Sequence, residues 1–139
     1  MDLDSSLPPP IRLKSLLIGR ALPYTRPGTR SAIAKRPSTR SLQIAANGLE
    51  GDEQGDLRVH GGPDKAIHHY PFDHYVAWSR EIGPRDVLTQ PGAFGENFST
   101  LGWTESDVCI GDVVVVGDAV LGLSQGRQPC WKLNDRFGR

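Results

Sequence analysis

Apolar residues in this chain come in short bursts, and almost every burst is closed by turn chemistry. Residues 11–22, IRLKSLLIGRAL, mix strict alternation with a small apolar patch, which predicts a first strand. Prolines at 23, 27 and 37 interrupt the next stretch, so residues 23–41 read as a loop or as an edge strand around SAIAK. LQIAANGLEGDEQGD predicts a strand fragment that runs into an acidic, glycine-rich turn. HGGPD is a turn, because glycine tolerates positive φ and proline pre-sets the bend. KAIHHY then alternates, which predicts a strand with Lys65, Ile67 and His69 on one face and Ala66, His68 and Tyr70 on the other. Pro71 opens the best helical pattern, PFDHYVAWSREIG, with Phe72, Tyr75, Val76, Ser79 and Ile82 on one face and Gly83 and Pro84 as the stop. PGAFGENFSTLG reads as loop. Val113–Val116 and residues 119–123 flank Gly117 and Asp118, the two-residue turn of a hairpin. Cys109, between Val108 and Ile110, is expected to be a buried structural cysteine.

These elements fit one domain. A chain of 139 residues is long enough for one core and too short for two ordinary domains. Its 16 glycines and 11 prolines suit short strands and many turns. The expected fold class is mainly β, a barrel or folded sheet with one clear helix and short helical turns. Residues 1–10 are expected to form a disordered lead and residues 11–139 the single domain. Formal net charge is zero, which gives no support to a nucleic-acid or membrane-surface role. The charges are nonetheless segregated: eight basic residues and no acid lie between Ser5 and Leu49, followed by Glu50, Asp52, Glu53 and Asp56. That pattern reads either as a solvated basic edge beside an acidic turn or as cations that bind an anionic ligand. The N-terminal MDLDSSLPPP is not a secretory signal, and no apolar run approaches membrane-spanning length. The expectation is a cytoplasmic protein with two reduced thiols.

The candidate chemistry centres on SQGRQPCWKLN, residues 124–134. Residues 122–126, GLSQG, match the nucleophile elbow of α/β-hydrolases in letters only, since Pro129 blocks the required helix and no histidine follows His74. Zinc is a rival reading, with His60, His68, His69, His74 and Cys130 as donors. However, His68 and His69 point to opposite faces of a strand, and no CxxC, HExxH or HxxxH spacing occurs. Calcium-loop, phosphate-loop and dinucleotide fingerprints are absent. Cys130 is flanked by Arg127 and Lys132, a positive setting that favours thiolate. Three roles stay open from the residues alone: nucleophile, with His60 or His69 as base through tertiary proximity, soft-metal ligand, or inert turn residue.

Taken together, SAIAK, GLEGDEQGD, VHGGPDKAIHHYPFDHY, PGAFGENFSTLGWTESDVCIGD and SQGRQPCWKLN resemble the MOSC domain family, and within it the 6-N-hydroxylaminopurine resistance proteins. The blocks run in family order over residues 31–137. The resemblance implies a β-barrel-like fold that binds molybdenum cofactor (molybdopterin with Mo), with Cys130 as the catalytic residue and metal ligand. It also implies His60, Lys65, His69, Asn97, Arg127 and Lys132 as cofactor-binding residues, with Lys65 and His69 the better pair and Glu96 turned inward to orient a neighbour. The implied activity is reduction of small N-hydroxylated purines and related N–O compounds, as in the similar mitochondrial amidoxime-reducing component. The resemblance also implies that electrons come from an external flavoprotein or other reductase, which agrees with the lack of a flavin, haem or iron–sulfur motif. The alternative is a non-catalytic carrier of sulfur or of molybdenum cofactor. Relatives continue past the equivalent of Phe137 into a helical region, so the expected domain lacks that extension.

Overall fold

The computed structural model describes residues 9–55 and 61–138. The expected lead at residues 1–10 lies outside these apart from the exposed Pro9 and Pro10, and His60 lies outside altogether. In chain order the elements are β1 (Leu13–Ile18), β2 (Leu22–Pro23), β3 (Arg30–Ser31), β4 (Arg36–Pro37), β5 (Ile44–Ala45), β6 (Gly48–Leu49), β7 (His69–Pro71), α1 (Tyr75–Ile82), β8 (Phe98–Thr100), β9 (Val113–Val116), β10 (Ala119–Gly122) and α2 (Trp131–Phe137). The mainly β class holds. The strands form one four-stranded sheet, ordered β4-β1-β8-β7, and three two-stranded ribbons, with no closed barrel among the described residues. A second helix, α2, stands where the sequence pattern around Cys130 suggested a turn.

The central sheet explains where the site sits. β1 pairs antiparallel with β8, Leu16 opposite Phe98 and Leu13 opposite Thr100, with an irregularity between Leu13 and Ser15. β7 pairs parallel with β8, setting His69 beside Phe98 and Pro71 beside Thr100. β8 comes from the stretch that reads as loop. Its residues are buried to 5% exposure or less, so this segment is the middle of the sheet and not a surface connection. Local pattern is silent there because the burial comes from both flanking strands and not from alternation. Gly92 before it has φ of 110°, and a Cβ would meet the Lys35 carbonyl at 3.1 Å, so glycine is required by conformation and by close approach together.

Proline also changes the strand expected over residues 65–70. Pro63–Lys65 is a single 3-10 turn, since the fixed proline φ favours it, and β7 begins only at His69. Lys65 and His69 therefore do not share a strand face. Pro71 is the last residue of β7 and caps a 3-10 turn, Phe72–His74, that leads into α1. Gly83, at φ of 83°, ends α1 as expected. The helix buries Tyr75 and, with Phe72 of the 3-10 turn before it, leans Trp78 and Ile82 on a core of Leu88, Ala93, Phe94 and Phe137, whereas Val76 is 58% exposed. Tyr70 stacks on Phe94 at 4.1 Å between centroids, and Phe137 of α2 meets Phe94 edge-on at 5.3 Å. Removing any one of these rings costs about 3–5 kcal/mol on general grounds. The β9–β10 hairpin has the expected turn, with Val116 opposite Ala119. Among the described residues no helix is long and apolar enough to cross a membrane, and both cysteines are free.

Candidate functional site

A cavity of about 1530 Å³ lies between the central sheet, the β9–β10 hairpin and the segment that leads into α2. Cys130, Arg127, Lys132, His68, His69 and Asn97 all line it. Four residues predicted from the sequence as cofactor ligands, His69, Asn97, Arg127 and Lys132, thus line the same cavity as the cysteine. Lys65 is not among the lining residues; its carbonyl accepts the Arg127 Nη2 donor at 2.7 Å and so holds the guanidinium in place.

Cys130 is the N-cap residue of α2, with extended backbone, and its thiol is half-buried. Proline before it removes one donor and keeps the chain extended up to the cap. The two neighbouring cations are tied to backbone elsewhere. Lys132 is buried and donates Nζ to the Arg30 carbonyl at 2.7 Å. Trp131 turns toward the β2–β3 ribbon, where the Arg26 guanidinium lies 4.0 Å over its ring and Tyr24 packs at 6.0 Å. Tyr24 also donates its hydroxyl to the Lys132 carbonyl at 2.8 Å. These contacts clasp the first turn of α2, directly after Cys130.

Across the cavity, His69 places Nε2 2.6 Å from the Thr100 hydroxyl and packs its ring 4.7 Å from Trp103. Burial lowers its pKa, and the nearby carboxylates of Glu105 and Asp73 oppose the shift. Asn97 is buried, and its amide is fully engaged: Oδ1 accepts the His68 backbone N–H at 3.0 Å, while Nδ2 donates to the Leu17 carbonyl at 3.1 Å and to Asp52 at 2.9 Å. Its geometry is that of a wall support. Glu96 turns inward completely, accepts the Tyr75 hydroxyl proton and the Phe94 N–H, and orients the 92–96 turn rather than the cavity. Burial holds its carboxyl above the usual carboxylate range, and the Tyr75 hydrogen bond offsets part of that.

Two residues that matter here were not singled out from the sequence as parts of this site. Asp52, which reads as one acid of a solvated turn, pairs with Lys35 at 2.8 Å with only 1% and 7% of the two side chains exposed. His68 was weighed only as a zinc donor. Its backbone is bonded on both sides, and the residue lines the cavity. The only local signal for either was the acid cluster and the histidine pair, and neither indicates burial. Zinc gains no support, since no group of three His, Cys, Asp or Glu side chains suited to a metal occurs among the described residues. Cys109 is exposed, against the expectation of a buried thiol, because the segment before the β9–β10 hairpin lies at the surface and Ile110 beside it is 66% exposed.

A mainly β chain with a half-buried cysteine at a helix cap, set into a cavity beside the central sheet that also presents Arg127, His68 and His69, has the features of one class, and the MOSC domain profile matches residues 56–139. The chain belongs to the MOSC domain family. It is similar to Protein YiiM of Escherichia coli (strain K12), with 50% identity over 110 residues that make up 79% of this chain and 49% of that protein. A protein called Reductase from Gibberella moniliformis (strain M3125 / FGSC 7600) is 43% identical over 108 residues, 77% of this chain and 19% of its own length. The crystal structure of YiiM from Geobacillus stearothermophilus superposes with a TM-score of 0.69 at 34% identity, covering 93% of this chain and 57% of that one. The chain therefore spans about half the length of the YiiM proteins it matches and a fifth of the fungal reductase.

Proposed function

We propose that this chain binds molybdenum cofactor in the cavity beside Cys130 and reduces N-hydroxylated purines and related N–O compounds, with electrons from an external flavoprotein or other reductase. The observation that carries the reading is the position of Cys130, a half-buried thiol on the wall of a cavity that Arg127 and His69 also line. The donor set fits such a group: a polarizable sulfur suits a soft metal, and a guanidinium suits an anionic end. Cys130 would ligate the metal, and Arg127, held by the Lys65 carbonyl, would bind anionic oxygen. Lys132, whose ammonium is partly spent on the Arg30 carbonyl, and Asn97, whose amide is spent on the wall, act mainly by keeping the cavity in shape. When bound, the cofactor supplies two-electron chemistry that turns R–NH–OH, two electrons and two protons into R–NH2 and water. The protein's own part is to hold the group, orient the substrate nitrogen and exclude bulk water. The fungal relative's name, Reductase, supports the same class of reaction, and its greater length is consistent with electrons that arrive from outside this region.

The test is direct. Protein expressed with molybdate in a cofactor-competent host should carry stoichiometric molybdenum and pterin, and Cys130→Ala should lose both. Equal retention by the variant overturns the reading. With a strong artificial reductant, the loaded protein should convert 6-N-hydroxylaminopurine to adenine, whereas a passive carrier of sulfur or cofactor would not.

A further inference from the structure

His68 is held on both sides of its backbone. Its N–H donates to Asn97 Oδ1 at 3.0 Å, and its carbonyl accepts the N–H groups of Asn97 and Phe98 at 2.8 and 3.0 Å. Asn97 is fixed in turn by Asp52, and Asp52 by the Lys35 ammonium at 2.8 Å and the Gly19 N–H at 2.9 Å. A buried ion pair and a saturated amide thus converge on the backbone of one histidine. Such a network is expensive to assemble, and it specifies position more than it adds stability.

The ring is just as constrained. It meets Tyr70 edge-on at 6.4 Å and lies beside the Gly95 backbone. Burial first, and then the Arg127 charge, push its pKa down to about 3, with His69 and Lys35 acting in the same direction. A neutral imidazole has one donor and one acceptor nitrogen. Among the described residues the one buried side-chain polar atom without a partner is Ser99 Oγ, so the acceptor nitrogen of His68 is not sealed inside the protein without a partner. It belongs to a residue that lines the cavity, beside an anchored guanidinium. A core histidine held only for packing would need neither the open nitrogen nor the adjacent cation.

We propose that His68 is the ligand-reading residue of this cavity: its free ring nitrogen accepts a hydrogen bond from the exocyclic N–H or N–OH of a purine-like ligand, while Asn97 and Asp52 act as positioning residues. The proposal rests on the reading that the cavity takes N-hydroxylated purines. A rigid acceptor with one lone pair favours ligands that bring a donor and rejects those that leave the nitrogen unpaired.

The experiment uses the protein as isolated, with molybdenum and pterin measured in every sample. Binding of 6-N-hydroxylaminopurine and of unsubstituted purine is measured by calorimetry for the natural protein, His68→Gln and His68→Leu. The natural protein should prefer the hydroxylamino compound by about ten-fold, the Leu variant should show a ratio within about two-fold, and the Gln variant, which keeps a carbonyl acceptor, should fall between. In the unmutated protein labelled with 15N-histidine, the resonance of the unprotonated His68 nitrogen should move on addition of 6-N-hydroxylaminopurine and stay in place with purine. That second measurement stands even if a variant fails to fold. An unchanged preference in His68→Leu, a resonance that does not move, or no binding of either purine overturns the proposal. Metal and pterin content that is indifferent to Cys130 overturns the cofactor reading instead, and the purine contrast then decides His68 by itself.

Discussion

Asp52 accepts hydrogen bonds from the Gly19 N–H, the Lys35 ammonium and the Asn97 amide, all within 2.9 Å. Removing one partner of a buried ion pair leaves the other charge without compensation, so Asp52→Ala should destabilise the fold by about 3–5 kcal/mol. Urea denaturation checks this, and adding Lys35→Met to the same protein should restore part of the loss. At the residue scale little of this was legible. A carboxylate in an acidic, glycine-rich stretch reads as solvated, because only the tertiary fold brings Lys35, 17 positions earlier, against it. Arg40 and Glu50, drawn from the same two charge blocks, do behave as the simple reading expects and meet at 3.7 Å on the surface. Cys130 stood out in the sequence for a different reason. Its proline, indole and cationic neighbours are incompatible with an ordinary strand cysteine.

Elements were legible where local chemistry decides the backbone. The β9–β10 hairpin follows from its two-residue turn and alternating flanks, and α1 from apolar spacing with a glycine stop. They were not legible where another element decides. β8 lies between two strands and needs no alternation, and α2 is held by the β2–β3 ribbon and by Arg136, whose Nε donates to the Ala93 carbonyl at 3.0 Å. The same dependence gives a prediction at this scale. The turn at Gly55 packs so closely on β3 that a Cβ there would meet the Arg30 carbonyl oxygen at 2.5 Å and the Ser31 Cα at 2.8 Å. Both obstacles are backbone and cannot rotate away. Gly55→Ala should therefore cost about 1–3 kcal/mol, read as a lower urea midpoint, and should loosen the ribbon that positions α2.

The molecule as a whole should lose stability in mild acid. His68 binds its proton near pH 3 in the fold against 6.5 ordinarily, so between these values the unfolded chain holds more protons and unfolding becomes easier as pH falls. The slope from this group approaches about 1.4 kcal/mol per pH unit below 6.5. His69, also lowered, acts in the same sense, whereas the raised Glu96 carboxyl opposes it once pH nears its own range. Urea midpoints at pH 7.5, 6 and 5 should fall steadily for the natural protein and much less for His68→Leu. None of this follows from net charge, which is zero whichever groups are buried. By itself, the sequence determined the mainly β class, the β9–β10 hairpin and the principal helix, and it set Cys130 apart by its neighbours, because turn residues, periodicity and local chemistry act over a few positions. Only the tertiary structure decided that a loop-like segment is the central strand, that an acidic turn hides a buried ion pair, and that His68 lines a cavity. Burial and long-range pairing depend on which distant segments meet, and no short stretch of the chain contains that information.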